Sequence, residues 1–232
     1  MESADAASVL LVMDFDGTIT TEDCLRSLLA RHVPAMPELE QAVSEHRLSE
    51  AQMLVRGVSL VDLPKEQLTN DFAVLATLRP GFHEFLTRHL SRGGRAAVLS
   101  LGFAGGIQVV WRREHLPPVP MLVSSLSGDP GSGYHLQVDQ RFGNCPVCGQ
   151  GMCKGPAVEA LRQPGDIVVA FGDGARDLCM AQAADVVFAR ARLAELCELE
   201  GIPFRPLTDY LAAMGYLEER LATSREEPYS SQ

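Results

Sequence analysis

The chain has 232 residues, of which 46% are hydrophobic and 22% charged, and its formal net charge is −10. That length and apolar content suffice for one domain, or one domain with a small insertion, and exclude disorder as the main state. The acidic balance, with no visible Lys/Arg cluster, argues against nucleic acid but not against a small phosphorylated substrate, because a bound divalent cation can reverse the local field. No run of about 18 apolar residues exists to span a membrane. The first residues, Met1 to Asp14, lack a basic lead and a cleavage site, so a cytoplasmic protein is expected.

Val9-Leu10-Leu11-Val12-Met13 is fully apolar and reads as a buried parallel strand. From Thr20 to Leu78 no good strand follows. Leu25, Leu28 and Leu29, then Leu39, Ala42 and Val43, then Phe72 and Leu75 recur at helical spacing, which predicts an inserted helical bundle. Strands are predicted again at Ala96–Leu99 and Ile167–Phe171, with weaker ones at Met121–Ser124 and Val186–Ala189. Helical patterns lie between them: Phe82, Phe85, Leu86 and Leu90; Ile107, Val110 and Trp111; Val158 and Leu161. Alternating strand and helix implies an α/β parallel sheet. Gly128–Gly133 is turn chemistry and predicts a hairpin or loop, and the polar tail Ser224–Gln232 reads as loose.

Ligands of open parallel sheets bind beyond the carboxyl ends of the strands. Four polar clusters fall there: Asp14-Phe15-Asp16-Gly17-Thr18, Ser100-Leu101-Gly102, Lys154 at a helix start before Gly155-Pro156, and Gly172-Asp173-Gly174-Ala175-Arg176-Asp177. Carboxylates converging in one cleft repel unless a hard cation such as Mg²⁺ sits among them. A lysine, a hydroxyl and backbone N–H groups then suit a phosphate. The residues by themselves point to metal-assisted phosphoryl transfer with a carboxylate as nucleophile.

These four clusters, in this order, resemble the motifs of the haloacid dehalogenase superfamily of phosphatases. The helical insert is similar to its C1-type cap, and the chain resembles subfamily IB, which holds the phosphoserine phosphatases. The resemblance implies a Rossmann-like core at residues 1–19 and 79–232 and a cap at 20–78. It makes Asp14 the nucleophile and Asp16 the acid and base. Mg²⁺ would lie between Asp14, the Asp16 backbone carbonyl, Asp173 and Asp177, the last holding a metal water or ligating directly. Ser100, Leu101 and Lys154 would bind the phosphoryl group. Asp23 and Arg56 would contact substrate from the cap, although Asp23 is also a plausible helix cap. Arg176 would add a cation. Leu101, where the family usually has Gly, predicts a bulkier wall near the phosphate.

The six cysteines are Cys24, Cys145, Cys148, Cys153, Cys179 and Cys197. Cys148-Gly149 through Cys153-Lys154 resembles the Cys-rich segment of the methionine-salvage enolphosphate phosphatases, a second reading of the substrate. Cys145-x-x-Cys148 with Cys153 also makes these three candidate zinc ligands, lacking an evident fourth; His135 or a distant Cys could supply it. Packed thiols and redox chemistry are the other readings of the segment. Cys24, Cys179 and Cys197 fall on helical patterns and read as core, as does Trp111. Phosphotransfer to an acceptor hydroxyl would use the same residues, and a binding module that had lost catalysis would not keep all of them. The expected partner is a small phosphorylated metabolite, and the chain a monomer or homodimer.

Overall fold

The computed structural model of the chain describes residues 8–143, 145 and 153–226, with side chains to residue 219. Seven strands form one sheet in the order β4-β3-β2-β1-β5-β6-β7. They are β1 (Val9–Met13), β2 (Arg95–Phe103), β3 (Met121–Asp129), β4 (Gly133–Gln137), β5 (Ile167–Gly172), β6 (Val186–Ala189) and β7 (Arg205–Pro206). All neighbours pair in parallel except β3 and β4, which form a hairpin. Every residue of β1 is buried, so both faces of the sheet centre are covered, as its unbroken apolar run requires. Each such Leu or Val side chain contributes on the order of 1.5–3 kcal/mol by leaving water.

The helices are α1 (Cys24–His32), α2 (Met36–Ser44), α3 (Glu50–Ser59), α4 (Lys65–Leu75), α5 (Phe82–Ser91), α6 (Ala104–Arg113), α7 (Gly155–Leu161), α8 (Leu178–Gln182), α9 (Ala191–Glu200) and α10 (Tyr210–Glu226). Helices α1 to α4 are the insert after the first strand. Its two connections to the sheet run side by side: Thr21 N–H donates to Thr77 O at 2.9 Å, and Arg79 N–H to Ile19 O at 2.8 Å. Phe72 of α4 anchors the insert, stacking on Phe15 and meeting Phe103 edge to face. The tip of the β3–β4 hairpin falls at residues 129–133, where turn chemistry placed it. The hairpin then grips the insert: Tyr134 Oη donates to Leu63 O at 2.7 Å, and Lys65 Nζ to Leu126 O at 2.8 Å.

Two expectations change. The backbone of residues 224–226 completes α10 instead of fraying, while 227–232 lie outside the described residues. Helix α9 and strand β7 carry no periodic signal strong enough to predict. Leu101 sends its bulk into the hydrophobic core, where it is buried, and not into a phosphate wall. Among the described residues no helix is long and apolar enough to cross a membrane.

Candidate active site

Strand order brings the site together. β1 lies between β2 and β5, so the residues after β1 and β5 and those near the end of β2 are neighbours about 5 Å apart. Asp14 leaves β1 with its N–H on Phe171 O of β5. The following residues, Phe15–Ile19, turn tightly around Gly17, whose φ is +75°. A Cβ there would lie 2.3 Å from Asp173 Oδ2, so only glycine lets the two loops approach. Ser100-Leu101-Gly102 sits where the pairing of β2 with β3 shifts register between Leu99 and Phe103. The irregularity belongs to the motif: Gly102 N–H donates to Ser100 Oγ at 2.9 Å.

Lys154 is almost fully buried and bridges two carboxylates. Its Nζ lies 2.5 Å from Asp14 Oδ1 and 2.6 Å from Asp177 Oδ1. The second Asp177 oxygen accepts from the backbone N–H groups of Asp173 (2.9 Å) and Gly174 (3.0 Å), which closes the loop after β5. Thr18 Oγ1 donates to Asp173 Oδ1 at 3.2 Å. Carboxylate oxygens of Asp14, Asp173 and Asp177 all lie within 4.8 Å of one another. Burial first, then the neighbouring Asp177, push Asp14 up to about 6, although Lys154 pulls it down. Burial and the charges of Asp14 and Asp177 push Asp173 up to about 8. Burial works against the charge of Lys154, but Asp14 and Asp177 outweigh it and raise its pKa. Three hard oxygen donors held this close, two of them reluctant to ionise, are a donor set suited to Mg²⁺.

Asp16 stands apart from that cluster. Its Oδ1 accepts from Cys24 N–H (3.0 Å) and Leu25 N–H (3.2 Å) at the start of α1. Its Oδ2 faces Ser100 Oγ at 3.4 Å. Burial, then the charges of Asp23 and Asp14, raise its pKa well above the carboxylate range. The loop therefore offers two buried carboxyl groups with raised pKa values and different partners: Asp14 is ion-paired with Lys154, and Asp16 is held by two N–H groups.

A cavity of about 160 Å³ opens between the sheet ends and the helical insert. Asp16, Asp173, Gly174, Arg176, Ala191 and Arg192 line it from the sheet side, and Asp23, Arg26, Glu50, Met53 and Leu54 from the insert. Arg176 Nη1 meets Glu50 Oε2 across it at 3.1 Å. Burial opposes the Arg176 charge, yet Glu50, Asp14, Asp23 and Asp177 together raise its pKa. Asp23 borders the cavity, and its carboxylate accepts from Arg26 N–H at 2.9 Å as the N-cap of α1. Arg56 is not among the residues that line the cavity. It lies six residues after Glu50 on α3, about 120° around the helix from the face of Glu50, Met53 and Leu54, and it is exposed.

Sequence reasoning missed several of these residues. Buried Arg79 holds the first loop from behind, donating to Gly17 O (2.7 Å), Thr18 O (3.0 Å) and Thr20 O (3.2 Å), and Arg190 adds a bond to Gly17 O at 2.8 Å. An arginine before Pro80-Gly81 reads as a solvated loop residue, and only its spatial neighbours reveal otherwise. Glu50, Arg26 and Arg192 likewise look like ordinary helix-surface charges.

The thiols also rearrange. Cys145 and Cys153 come together, but the third sulfur beside them is Cys179 of α8, read from the sequence as simple packing. His135 is exposed on β4 and takes no part in that cluster. Cys148 lies outside the described residues. Cys24 and Cys197 are buried as expected, as is Trp111, whose Nε1 donates to Pro117 O at 2.8 Å.

Residues 11–182 match the haloacid dehalogenase-like hydrolase family. The chain belongs to that family. It is 30% identical over 217 residues to the 2-hydroxy-3-keto-5-methylthiopentenyl-1-phosphate phosphatase of Exiguobacterium sp., covering 91% of this chain and 98% of the relative. The protein of the same description from Brevibacillus brevis is 30% identical, covering 84% of this chain and 88% of the relative. In fold it is similar to a phosphoserine phosphatase solved as a phospho-aspartyl intermediate analogue, with a TM-score of 0.65, 20% identity, and coverage of 90% of this chain and 98% of that one. With its family and these relatives, the chain is a phosphatase of the haloacid dehalogenase type.

Proposed function

We propose that this phosphatase is an Mg²⁺-dependent phosphomonoesterase for a small phosphorylated metabolite, working through an aspartyl-phosphate on Asp14. In this reading residues 1–19 and 79–232 are the catalytic core and 20–78 the cap. The observation that carries it is the contrast within one loop: Asp14 paired with Lys154, and Asp16 buried with a raised pKa.

Asp14 and Asp173, with the backbone carbonyl of Asp16, would hold Mg²⁺. Both Asp177 oxygens are already engaged, which suits Asp177 to holding a metal water. Bound there, Mg²⁺ supplies positive charge to the phosphoryl oxygens and offsets repulsion between them and the carboxylates. Lys154 favours the ionised form of Asp14 and adds a cation beside the incoming phosphate, while Ser100 offers a hydroxyl donor. Asp14 attacks phosphorus as the ester oxygen leaves. Oδ1 of Asp16 is held by two N–H groups, so its proton belongs on Oδ2, and from there it passes to the departing oxygen. Asp16, now ionised, takes a proton from water as that water attacks the aspartyl-phosphate. Inorganic phosphate leaves and Asp14 is restored.

For the substrate, we favour the enolphosphate class in the curated relatives' name over phosphoserine. Arg56 was the cation expected to grip an amino-acid carboxylate, and it lies outside the cavity. The test is phosphate release from 2-hydroxy-3-keto-5-methylthiopentenyl-1-phosphate and from phosphoserine, with Mg²⁺ or EDTA, for wild type and Asp14→Asn. Metal-dependent turnover of the enolphosphate, lost in Asp14→Asn, is expected. Preference for phosphoserine overturns the substrate reading. Phosphate captured by an added alcohol in place of water makes the enzyme a phosphotransferase, and release unchanged in Asp14→Asn overturns the nucleophile.

A further inference from the structure

The thiol cluster has no part in that chemistry, yet it touches the site through the chain. Cys153 is the residue before Lys154, and Cys179 lies two residues after Asp177. Sulfur atoms of Cys145, Cys153 and Cys179 lie within 4.8 Å of one another, those of Cys145 and Cys179 at 3.7 Å. Four ligands around zinc at about 2.3 Å in a tetrahedron put sulfurs about 3.8 Å apart. Cys153 and Cys179 are buried and Cys145 is half-buried, so the cluster is shielded but reachable. The backbone frames it: Cys153 pairs with Gly143 in both directions, at 2.8 and 3.2 Å. Gly155 lies so close that a Cβ on it would be 3.3 Å from Cys179 Cβ and 3.4 Å from Cys153 Sγ. Three converging thiols are soft donors, which select zinc over the hard cation suited to the nearby carboxylates.

We propose that Cys145, Cys153 and Cys179 bind a structural zinc ion, and that this ion ties the segment carrying Lys154 to the helix that follows Asp177. The assignment rests on these three thiols, with the fourth tetrahedral position open to another donor, and it is independent of the substrate and of the Mg²⁺ site. On binding, each thiol loses its proton to solvent and no redox change occurs. The ion would add a link between the two carriers of the Lys154–Asp177 ion pair beside the contacts of α7 and α8.

The experiment uses the full chain, purified without chelator from zinc-supplemented cells and analysed by elemental mass spectrometry. About one zinc per chain is expected in wild type. Cys179→Ser should retain less than a tenth of that, and Cys197→Ala, a buried thiol elsewhere, should retain all of it. If Cys179→Ser fails to fold, wild type stripped and reloaded with Co²⁺ decides the matter: thiolate-to-cobalt charge-transfer bands with tetrahedral visible bands are expected. Wild type without zinc and without those bands overturns the site, as does zinc unchanged in a folded Cys179→Ser. A Cys145–Cys179 disulfide found by peptide mapping makes the pair a redox element instead. A zinc ion whose removal leaves the thermal midpoint unmoved overturns its role as a clamp.

Discussion

The two walls of the cavity are built differently. On the sheet side, the loops are cross-tied: Asp177 by two backbone N–H groups and Lys154, Asp173 by Thr18 Oγ1, and the first loop by Arg79 and Arg190. On the insert side, Arg26, Glu50, Met53 and Leu54 project from helix faces, and Glu50 meets Arg176 across the cavity. On the proposed reading, the chemistry belongs to the sheet-side wall and recognition to the insert-side wall. A hinge motion of the insert would change what the cavity admits without disturbing Asp14 and Lys154. Asp16 is the exception, because its Oδ1 bonds to the insert's first helix make the proton-bearing group sensitive to closure.

That contrast sets the size of the expected effects. Asp14→Asn removes the attacking group and should lower kcat by at least about 10⁴-fold with the fold intact, read by phosphate release and circular dichroism. Asp16→Asn should cost about 10²–10⁴-fold on an alkyl phosphate, and distinctly less on p-nitrophenyl phosphate, whose leaving group needs no proton. Equal losses on both esters would remove Asp16 from the acid role.

Stability should depend on pH in the metal-free protein. Asp14 at about 6 and Asp173 at about 8 keep protons that the unfolded chain releases near the ordinary value of 3.8. Between those values the folded state binds more protons than the unfolded state, so stability falls as pH rises from about 4 to 8. The thermal midpoint without divalent cation should be higher at pH 5 than at pH 8. Mg²⁺ should raise it more at pH 8, where the carboxylates are ionised.

Changes on the insert side should be smaller. Glu50→Gln weakens a partly exposed ion pair worth at most about 1 kcal/mol, so KM should move by up to roughly 5-fold and kcat by less. A kcat loss matching that of Asp16→Asn would mean the insert wall takes part in the chemistry. Arg56→Ala should change kcat/KM less than about 2-fold, since its side chain lies off the cavity face of α3. A larger loss would restore Arg56 to the substrate site.

The legible parts of this protein are those where one stretch of chain carries the whole signal. The run Val9–Met13, ending in Asp14 and turning at Gly17, shows strand, strand end and loop within nine residues. Gly172–Asp177 shows strand end and helix entry in the same way. Arg79, Glu50 and Arg26 are single charges in unremarkable surroundings, and nothing local separates a buried clamp or a cavity wall from a solvated side chain. Arg56 differs: its segment resembles a known motif, and the structure leaves its side chain exposed and off the cavity lining. Helix α9 has a thin apolar stripe, so it was not foreseen.

By itself, the amino-acid sequence determined the donor chemistry: which strands are buried, where their polar ends fall, and that carboxylates, a lysine and a hydroxyl share one site. Apolar runs and glycines act through local sterics and burial, which neighbouring residues encode. Only the tertiary structure decided which charges face one another across the cavity, that Arg79 braces the first loop, and that Cys179 joins Cys145 and Cys153. Those outcomes depend on helix phase and strand order, and residues far apart in the chain meet only once the sheet has set their distances.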